Sequence, residues 1–368
     1  MLAYIIRRLL LMIPTLLGIM VLNFVVIQFA PGGPIEQILA QLQGTAVSAT
    51  ARFSGEGTEV QSSAPKTGAG SEVNSKYRGA RGLDPKFIKQ LEVQFGFDKP
   101  AYVRLLDMIR SYVVFDFGKS FFKDRSVIDL VLEKMPVSIS IGLWTTLIGY
   151  LVSIPLGIAK ATREGSRFDA WTTTAITAGS AIPGFLFAIL LIVVFAGGRY
   201  LDWFPLRGLT SPNWHELSWP ARILDYLWHM TLPIVAMVTG SFASLTLLTK
   251  NSFLDQMRML YVSTARAKGL NEQQVLYGHV FRNAMLIVIS GFPGAVISIF
   301  FGSALLIETI FSLDGLGLLG YEAAINRDYP IMFATLYFFS LLGLIVNLVG
   351  DLTYTLVDPR IDFERRDV

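Results

Sequence analysis

Residues Tyr261 to Ala284, YVSTARAKGLNEQQVLYGHVFRNA, form a charged and interrupted stretch between two long apolar runs. Its polarity keeps it in water, while the runs on either side have the length and composition of membrane spans. Lys268 suits the negative pole of a last helical turn, and Gly269 supplies the left-handed residue that closes it. Asn271 is a good N-cap with Gln274 at capping-box spacing, and Val275, Leu276, Val280, Phe281 and Ala284 share one face of the helix that follows. The stretch therefore predicts helix, tight turn, helix. Its first arm interleaves the small residues Ser263, Thr264, Ala265, Ala267 and Gly269 with Arg266 and Lys268. A partner's backbone could come close within that cationic rim, the way a helix sits in a groove. A basic cytoplasmic loop obeying the positive-inside rule is the plainer reading of the same charges.

The whole chain shares the bias of the flanking runs. Of 368 residues 52% are hydrophobic and only 16% charged, too apolar for an ordinary soluble domain. The class expected is an all-α protein of the lipid bilayer. A net charge of +3 with no basic patch carries no nucleic-acid footprint. The absence of cysteine rules out disulfides, thiolate metal sites and a cysteine nucleophile.

Outward from the central stretch, six apolar runs reach spanning length: Leu9–Ala30, Val137–Ala159, Ala170–Ala196, Met230–Thr249, Ala284–Ile310 and Ile331–Val357. Leu9–Ala30 could pass for a signal peptide, but Gln28 and Pro31 flank its end poorly for cleavage, so it reads as an uncleaved first span. Pro155, Pro183, Pro233, Gly291, Pro293 and Gly294 mark bends inside the spans. Between the first two spans, 44–82 is rich in Gly, Ser, Ala and Thr and reads as a flexible insertion. Asp84 and Pro85 then start an amphipathic helix with Phe87, Ile88, Leu91 and Phe95 on one face, stopped by Gly96. A second helix carries the stripe Tyr102, Leu105, Leu106, Ile109, Tyr112 and Val113, and Ser126 with Asp129 caps a short helix leading to Pro136.

Orientation follows from the basic residues. Arg7 and Arg8, then Lys160, Arg163 and Arg167, then Lys250, Arg258, Arg266, Lys268 and Arg282, then Arg360, Arg365 and Arg366 fall on one face if the N-terminus is inside. The other face has Arg199, Arg207, Arg222 and Arg327 between later spans, so both termini and the central loop are expected in the cytoplasm and the long first loop outside.

Catalytic and nucleotide chemistry finds no sequence support. There is no G-x-x-x-x-G-K-[ST] loop, so an ATPase would have to be another subunit. Gly315, Gly317 and Gly320 spell G-x-G-x-x-G without a preceding strand, which reads as a turn. His215, His229 and His279 are read without H-E-x-x-H spacing and without acidic partners at helical spacing, leaving no metal or triad argument. Glu308, near the outer end of the fifth run, is costly there unless it faces a cavity or partner or simply reaches water. Asn347 and Asp351 raise the same question in the sixth span.

These motifs have a family resemblance. The T-A-R-A-K-G-L run at Thr264–Leu270 followed by H-x-x-R-N-A at His279–Ala284 resembles the cytoplasmic coupling loop of binding-protein-dependent ABC importers, in the dipeptide and oligopeptide permease branch. In the broader family that loop begins Glu-Ala-Ala. Ser263 and Thr264 depart from it, Ala265 and Gly269 keep it, and Arg282 stands where a later proline would, departures that match the peptide branch. The start IIRRLLLMIPTLLGI, the run Glu308–Pro330 and the ending LVDPRI resemble the same branch, while YRGARGLDP at Tyr77–Pro85 and the DPRIDFE tail narrow it to a subgroup with a long first loop.

The resemblance implies a type I importer permease of six transmembrane helices with a long extracytoplasmic insertion. Residues 1–30 would hold the first span, 31–136 the extracytoplasmic region, 137–357 a five-span core with the cytoplasmic loop 250–283, and 358–368 a cytoplasmic tail. It implies coupling through Ser263, Thr264, Ala265, Arg266, Ala267, Lys268, Gly269, Leu270 and Asn271, with Glu308, Asp314 and Asn347 as candidate pathway or outer-gate residues. The implied partners are a sister permease, two ATPase domains that bind ATP-Mg in place of any cofactor here, and a periplasmic solute-binding protein. The implied cargo is oligopeptides, peptide antibiotics such as microcin C, or cell-wall peptides, taken across a bacterial inner membrane. A channel or ion-coupled carrier is the competing class. It would want paired intramembrane carboxylates or broken helices repeated in two halves.

Overall fold

The computed structural model describes residues 2–29, 33–42, 85–94, 96–198, 200–298 and 304–357. Helix α1 is Leu2–Phe29 and runs through Pro14. Leu10, Leu22, Val26 and Phe29 stand exposed along it, a surface that only lipid can cover without cost. Short helices α2 (Pro34–Leu42), α3 (Pro85–Gln94) and α4 (Ala101–Val113) follow. The expectation for 44–82 lies outside the described residues, as does Phe95.

Helix α5, Val127–Thr162, is a single helix of 36 residues through both Pro136 and Pro155. The short capped helix expected before Pro136 is thus its first turns. Each proline removes one backbone bond, which membrane helices accommodate where neighbours re-satisfy the freed carbonyl. The third apolar run differs more. It is broken into α6 (Arg167–Ser180) and α7 (Gly184–Phe195), set at 89° to each other. The cause is Pro183, which lacks an N–H and pushes Ile182 before it away from helical backbone. Helix α8, Trp219–Met257, has 39 residues, about 58 Å at 1.5 Å per residue. It therefore overshoots a hydrocarbon core of about 30 Å.

The central stretch gives α9 (Leu260–Ala267), a tight turn, α10 (Glu272–Val275) and a π-helical turn Leu276–Val280 leading into α11 (Phe281–Ser298). The rest of the fifth run is α12, Ala304–Ile310; α13 is Leu316–Asn326 and α14 Tyr329–Val357. Among the described residues, five helices are long and apolar enough to cross a membrane, six if the bent α6–α7 pair counts as one span.

The chain divides into two units. The first comprises Met1–Met12, Met135–Gly317 and Leu341–Val368. Its hub is α8, which packs against α6, α7 and α11. One apolar core joins Ile141, Leu191, Met230, Ile234, Ile307 and Phe311; a second joins Ile158, Phe253, Val262, Ala265, Val275, Val280 and Ala284. Helices α5 and α8 touch at Gly157, where a methyl group would overlap Thr246 and Thr249. At the far end, Asp351 of α14 accepts hydrogen bonds from Tyr4 at 2.9 Å and pairs with Arg8 at 2.7 Å, so the first turns of α1 lie against the last turns of α14.

The second unit comprises Ile13–Lys134 and Leu318–Ser340. Ile35, Leu39 and Leu91 are buried together, packed on by Ile88 and Phe97. Rings of Tyr112, Phe117, Tyr337 and Phe338 interlock at centroid distances of 4.6 to 6.2 Å. The stripe expected on α4 is only partly the inward face. Tyr112 is buried, but Tyr102, Leu106 and Val113 point out, because the helix turns Leu105, Met108 and Tyr112 inward instead.

Candidate functional site

The central stretch is built as an elbow. Val262 and Ala265 of α9 are buried in the second core, which leaves Ser263, Thr264, Arg266, Ala267 and Lys268 facing out. Lys268 and Gly269 donate to the carbonyls of Thr264 and Arg266 at 3.1 and 2.9 Å, closing the helix. Gly269 has φ +86° with nothing within 4 Å of where a Cβ would stand, so glycine is needed for its backbone and not for space. Leu270 is half-buried against the core beneath the turn.

The second arm starts as the sequence expects. The Asn271 side chain accepts from the Gln274 N–H at 2.8 Å, and the Gln274 side chain accepts from the Asn271 N–H at 3.1 Å, a complete capping box. A feature not expected is the brace across the turn. Arg266 donates from Nε and from its terminal nitrogen to the two oxygens of Glu272 at 2.9 and 3.0 Å. The carboxylate holds the guanidinium above its ordinary pKa through that hydrogen bond and its charge. A cleft of about 270 Å³ beside the brace is lined by Thr162, Met257, Val262, Arg266 and Gln273. Leu260, 86% exposed, opens α9 with an apolar side chain in water. The elbow thus presents small, cationic and apolar groups outward on a back that is fixed in the core.

Behind the elbow lies a buried ionic knot that sequence reasoning missed. Lys160, at the end of α5 and 0% exposed, pairs with Asp169 of α6 at 3.0 Å and donates to the Asp169 carbonyl, Thr172 and Thr173 at 2.9, 2.9 and 2.6 Å. Lys250 of α8 reaches both Asp169 oxygens at 2.8 and 2.7 Å. The Gly165 N–H adds a bond at 3.3 Å, and Ser166 caps α6 by accepting from the Asp169 N–H. One carboxylate thereby ties the ends of three helices. The S-x-x-D spacing of Ser166 and Asp169 was the available signal.

Glu308 does not reach water. Its side chain is 0% exposed, with Oε1 accepting from Ser138 Oγ at 2.9 Å, and Ser138 in turn accepts from the Leu316 N–H at 2.8 Å. A methyl at Gly315 would overlap the Glu308 carboxyl, and one at Gly317 would come within 3.0 Å of it. The glycine series is therefore not a turn. Gly317 and Gly320 lie in α13 and Gly315 just precedes it, none of the three with positive φ. The missing side chains of Gly315 and Gly317 make room for a buried carboxylate, while Gly320 stands against Thr335. Asp314 is exposed in the same loop. Asn347 is outside that arrangement, on α14, with its amide donating to the Gly343 carbonyl at 2.9 Å.

The histidine reading also changes. Asp225 and His229 are one helical turn apart on α8, with His229 Nδ1 at 2.8 Å from the Asp225 carbonyl and 3.6 Å from its carboxylate. That carboxylate is occupied by the Ser211 N–H at 2.9 Å and the Ser211 hydroxyl, so Asp225 fixes the loop before α8 to the start of that helix.

Residues 153–363 match the family described as binding-protein-dependent transport system inner membrane component. The chain belongs to that family. It is 62% identical to the peptidoglycan transport system permease protein YejB of Agrobacterium fabrum, over 100% of both chains. It is 58% identical to the inner membrane ABC transporter permease protein YejB of Escherichia coli O157:H7, over 99% of this chain and 100% of that one. The oligopeptide transport system permease protein AppB of Bacillus subtilis is 33% identical, over 99% of this chain and 100% of its own. The subgroup to which YRGARGLDP and DPRIDFE pointed, the B permease of the Yej uptake system, is the one the Agrobacterium and Escherichia relatives carry by name. The chain is thus a multi-pass inner-membrane component of a transport system that depends on a binding protein, and it is a transport subunit and not an enzyme.

Proposed function

We propose that this chain is one of two non-identical permease subunits of an ATP-driven importer that takes oligopeptides, including cell-wall peptides and peptide antibiotics such as microcin C, from a periplasmic binding protein into the cytoplasm. The observation that carries the reading is the braced elbow. A helix–turn–helix seated on the span core through Ala265 and Leu270, with Ser263, Thr264, Arg266, Ala267, Lys268, Gly269 and Asn271 outward, suits a docking element for separate ATPase domains. ATP-Mg belongs to those partners. The names of the relatives, which include peptidoglycan and oligopeptide transport, support the cargo class.

Orientation rests on the same elements. Arg8 and Asp351 bring the start of α1 beside the end of α14, and the Lys160–Asp169–Lys250 knot gathers the ends of α5, α6 and α8, all at positions rich in Lys and Arg. That arrangement favours cytoplasmic termini and a cytoplasmic elbow, with 31–136 outside and 137–357 as the core. Glu308 then belongs to the outer end of the pathway, where it shapes the 311–317 loop that carries Asp314. The test is reconstitution of the complex, identified by native mass spectrometry, in vesicles loaded with ATP on the ATPase side. Peptide uptake that needs both ATP and binding protein supports the proposal; uptake driven by an ion gradient without ATP contradicts it.

A further inference from the structure

Within the second unit the chain dips along α14 and returns. Just before α4, Phe97 lies edge to face with Tyr329, the first residue of α14, at 6.3 Å. Some way after α4, the Phe121 N–H donates to Asp328, immediately ahead of α14, at 3.2 Å. Between those two contacts Tyr112, Phe115 and Phe117 meet Tyr337 at centroid distances of 5.8, 6.1 and 5.5 Å, and Phe117 meets Phe338 at 5.0 Å. Tyr337 stands eight residues into α14, about 12 Å beyond Tyr329 at 1.5 Å per residue, in a helix with no charged residue before Asp351. The end of α4 therefore runs in beside a membrane span. At the far point of the dip are Val113, Val114 and Phe115, which are 69%, 71% and 52% exposed. The N–H groups of Val114, Phe115 and Asp116 donate to the carbonyls of Ser111, Tyr112 and Ser111 at 3.1, 3.1 and 2.9 Å, as non-helical backbone near lipid requires. The last two bonds close α4 around a left-handed residue, a place that ordinarily falls to glycine, yet here it is Phe115 with φ +59°. The fold thus accepts backbone strain to keep an exposed aromatic ring at the tip. Asp116 lines an open cavity of about 790 Å³ with Lys99, Arg104 and Asp107, and none of the three tip residues lines it.

We propose that Val113, Val114 and Phe115 form a wedge set into the lipid leaflet on the side where α14 begins. Lipid is the occupant that the surroundings favour. Arg104 of α4 donates to Gln28 in the last turn of α1 at 2.8 Å and lies over the Phe24 ring at 5.8 Å, so α4 is joined to the end of a span whose Leu22, Val26 and Phe29 are exposed. Tyr102, Leu106 and Val113, all exposed, share one face of α4 by helical spacing and continue that apolar surface towards the tip. An apolar face of this kind settles about 5–10 Å into the boundary between headgroups and acyl chains. The wedge pins the second unit to the bilayer, whatever the cargo and whichever leaflet this is.

The chain's lack of cysteine gives a clean test. Val114→Cys and, separately, Lys89→Cys on the exposed side of α3 each carry one nitroxide label, in a complex whose other subunits have had any cysteines replaced. The complex is placed in nanodiscs of phosphatidylethanolamine and phosphatidylglycerol. Power-saturation electron paramagnetic resonance then reads the label's collisions with oxygen, which concentrates in lipid, and with a water-soluble nickel chelate. The expected result is a ratio of oxygen to nickel collisions several-fold higher at position 114 than at position 89, with Val113→Cys giving the same answer as Val114→Cys. Equal ratios at 114 and 89 place the tip in water and overturn the proposal. Few collisions of either kind at 114 place the tip under protein, such as a second subunit or a binding protein, and overturn it as well.

Discussion

Asp169 and Glu308 are both buried carboxylates, yet they do different work. Asp169 is the carboxylate shared by two lysines, so Asp169→Asn leaves Lys160 buried with its charge uncompensated, at a cost of about 3–5 kcal/mol. Lys160→Met should cost much less, because Asp169 keeps Lys250 and the Thr172 and Thr173 hydroxyls keep the carbonyls of Phe168 and Asp169. Thermal unfolding of the purified complex ranks the two; a larger loss for Lys160→Met would mean that the lysine, and not the carboxylate, organises the knot. Glu308 instead fills the space left by Gly315. Gly315→Ala is expected to destabilise by about 1–3 kcal/mol through overlap with the carboxyl. Combined with Glu308→Ala, it should cost less than the sum of the single changes, and strict additivity would show that the two positions do not press on each other.

At the scale of elements, the elbow was legible in advance because each of its signals is local. Gly269 closes one helix, Asn271 and Gln274 open the next, and Val275, Val280 and Ala284 repeat on one face. The π turn at Leu276–Val280 was not legible, since a single added residue per turn changes no composition and barely shifts the apolar period. The brace was hidden for another reason. Arg266 and Glu272 meet only because the turn folds one arm back on the other, and charges six positions apart carry no helical signal. If the brace sets the angle between the arms, Glu272→Arg should weaken co-purification of the ATPase subunits and the swap Arg266→Glu/Glu272→Arg should recover it. Failure to recover would place the Arg266 guanidinium itself in the docking contact.

For the whole molecule, apolar run length was enough to find the spans but not their shape. The bend between α6 and α7 depended on Pro183 in one run, while Pro136 and Pro155 leave α5 unbroken, so proline alone does not decide. Neighbours do. Long-range partners were equally hidden: Ser138 with Glu308 and Arg8 with Asp351 are joined only once the helices pack. Topology, in contrast, is a whole-chain property that basic residues encode directly. Reporters fused after Arg163 and after Gln273 should read cytoplasmic and one after Ser211 extracytoplasmic, and the reverse pattern would invert the chain.

If the elbow converts ATPase closure into movement of the spans, Gly269→Val should break that coupling. Its φ of +86° costs a residue with a Cβ on the order of 1 kcal/mol or more, and a β-branched one most, while open space around the site removes any steric clash. The change lies outside the hydrocarbon, so the spans should insert normally. The measurement is peptide uptake and binding-protein-stimulated ATP hydrolysis, side by side, for wild-type and Gly269→Val complexes in vesicles. Wild-type membrane levels with both activities sharply reduced are expected; both activities unchanged would contradict a coupling role for the elbow.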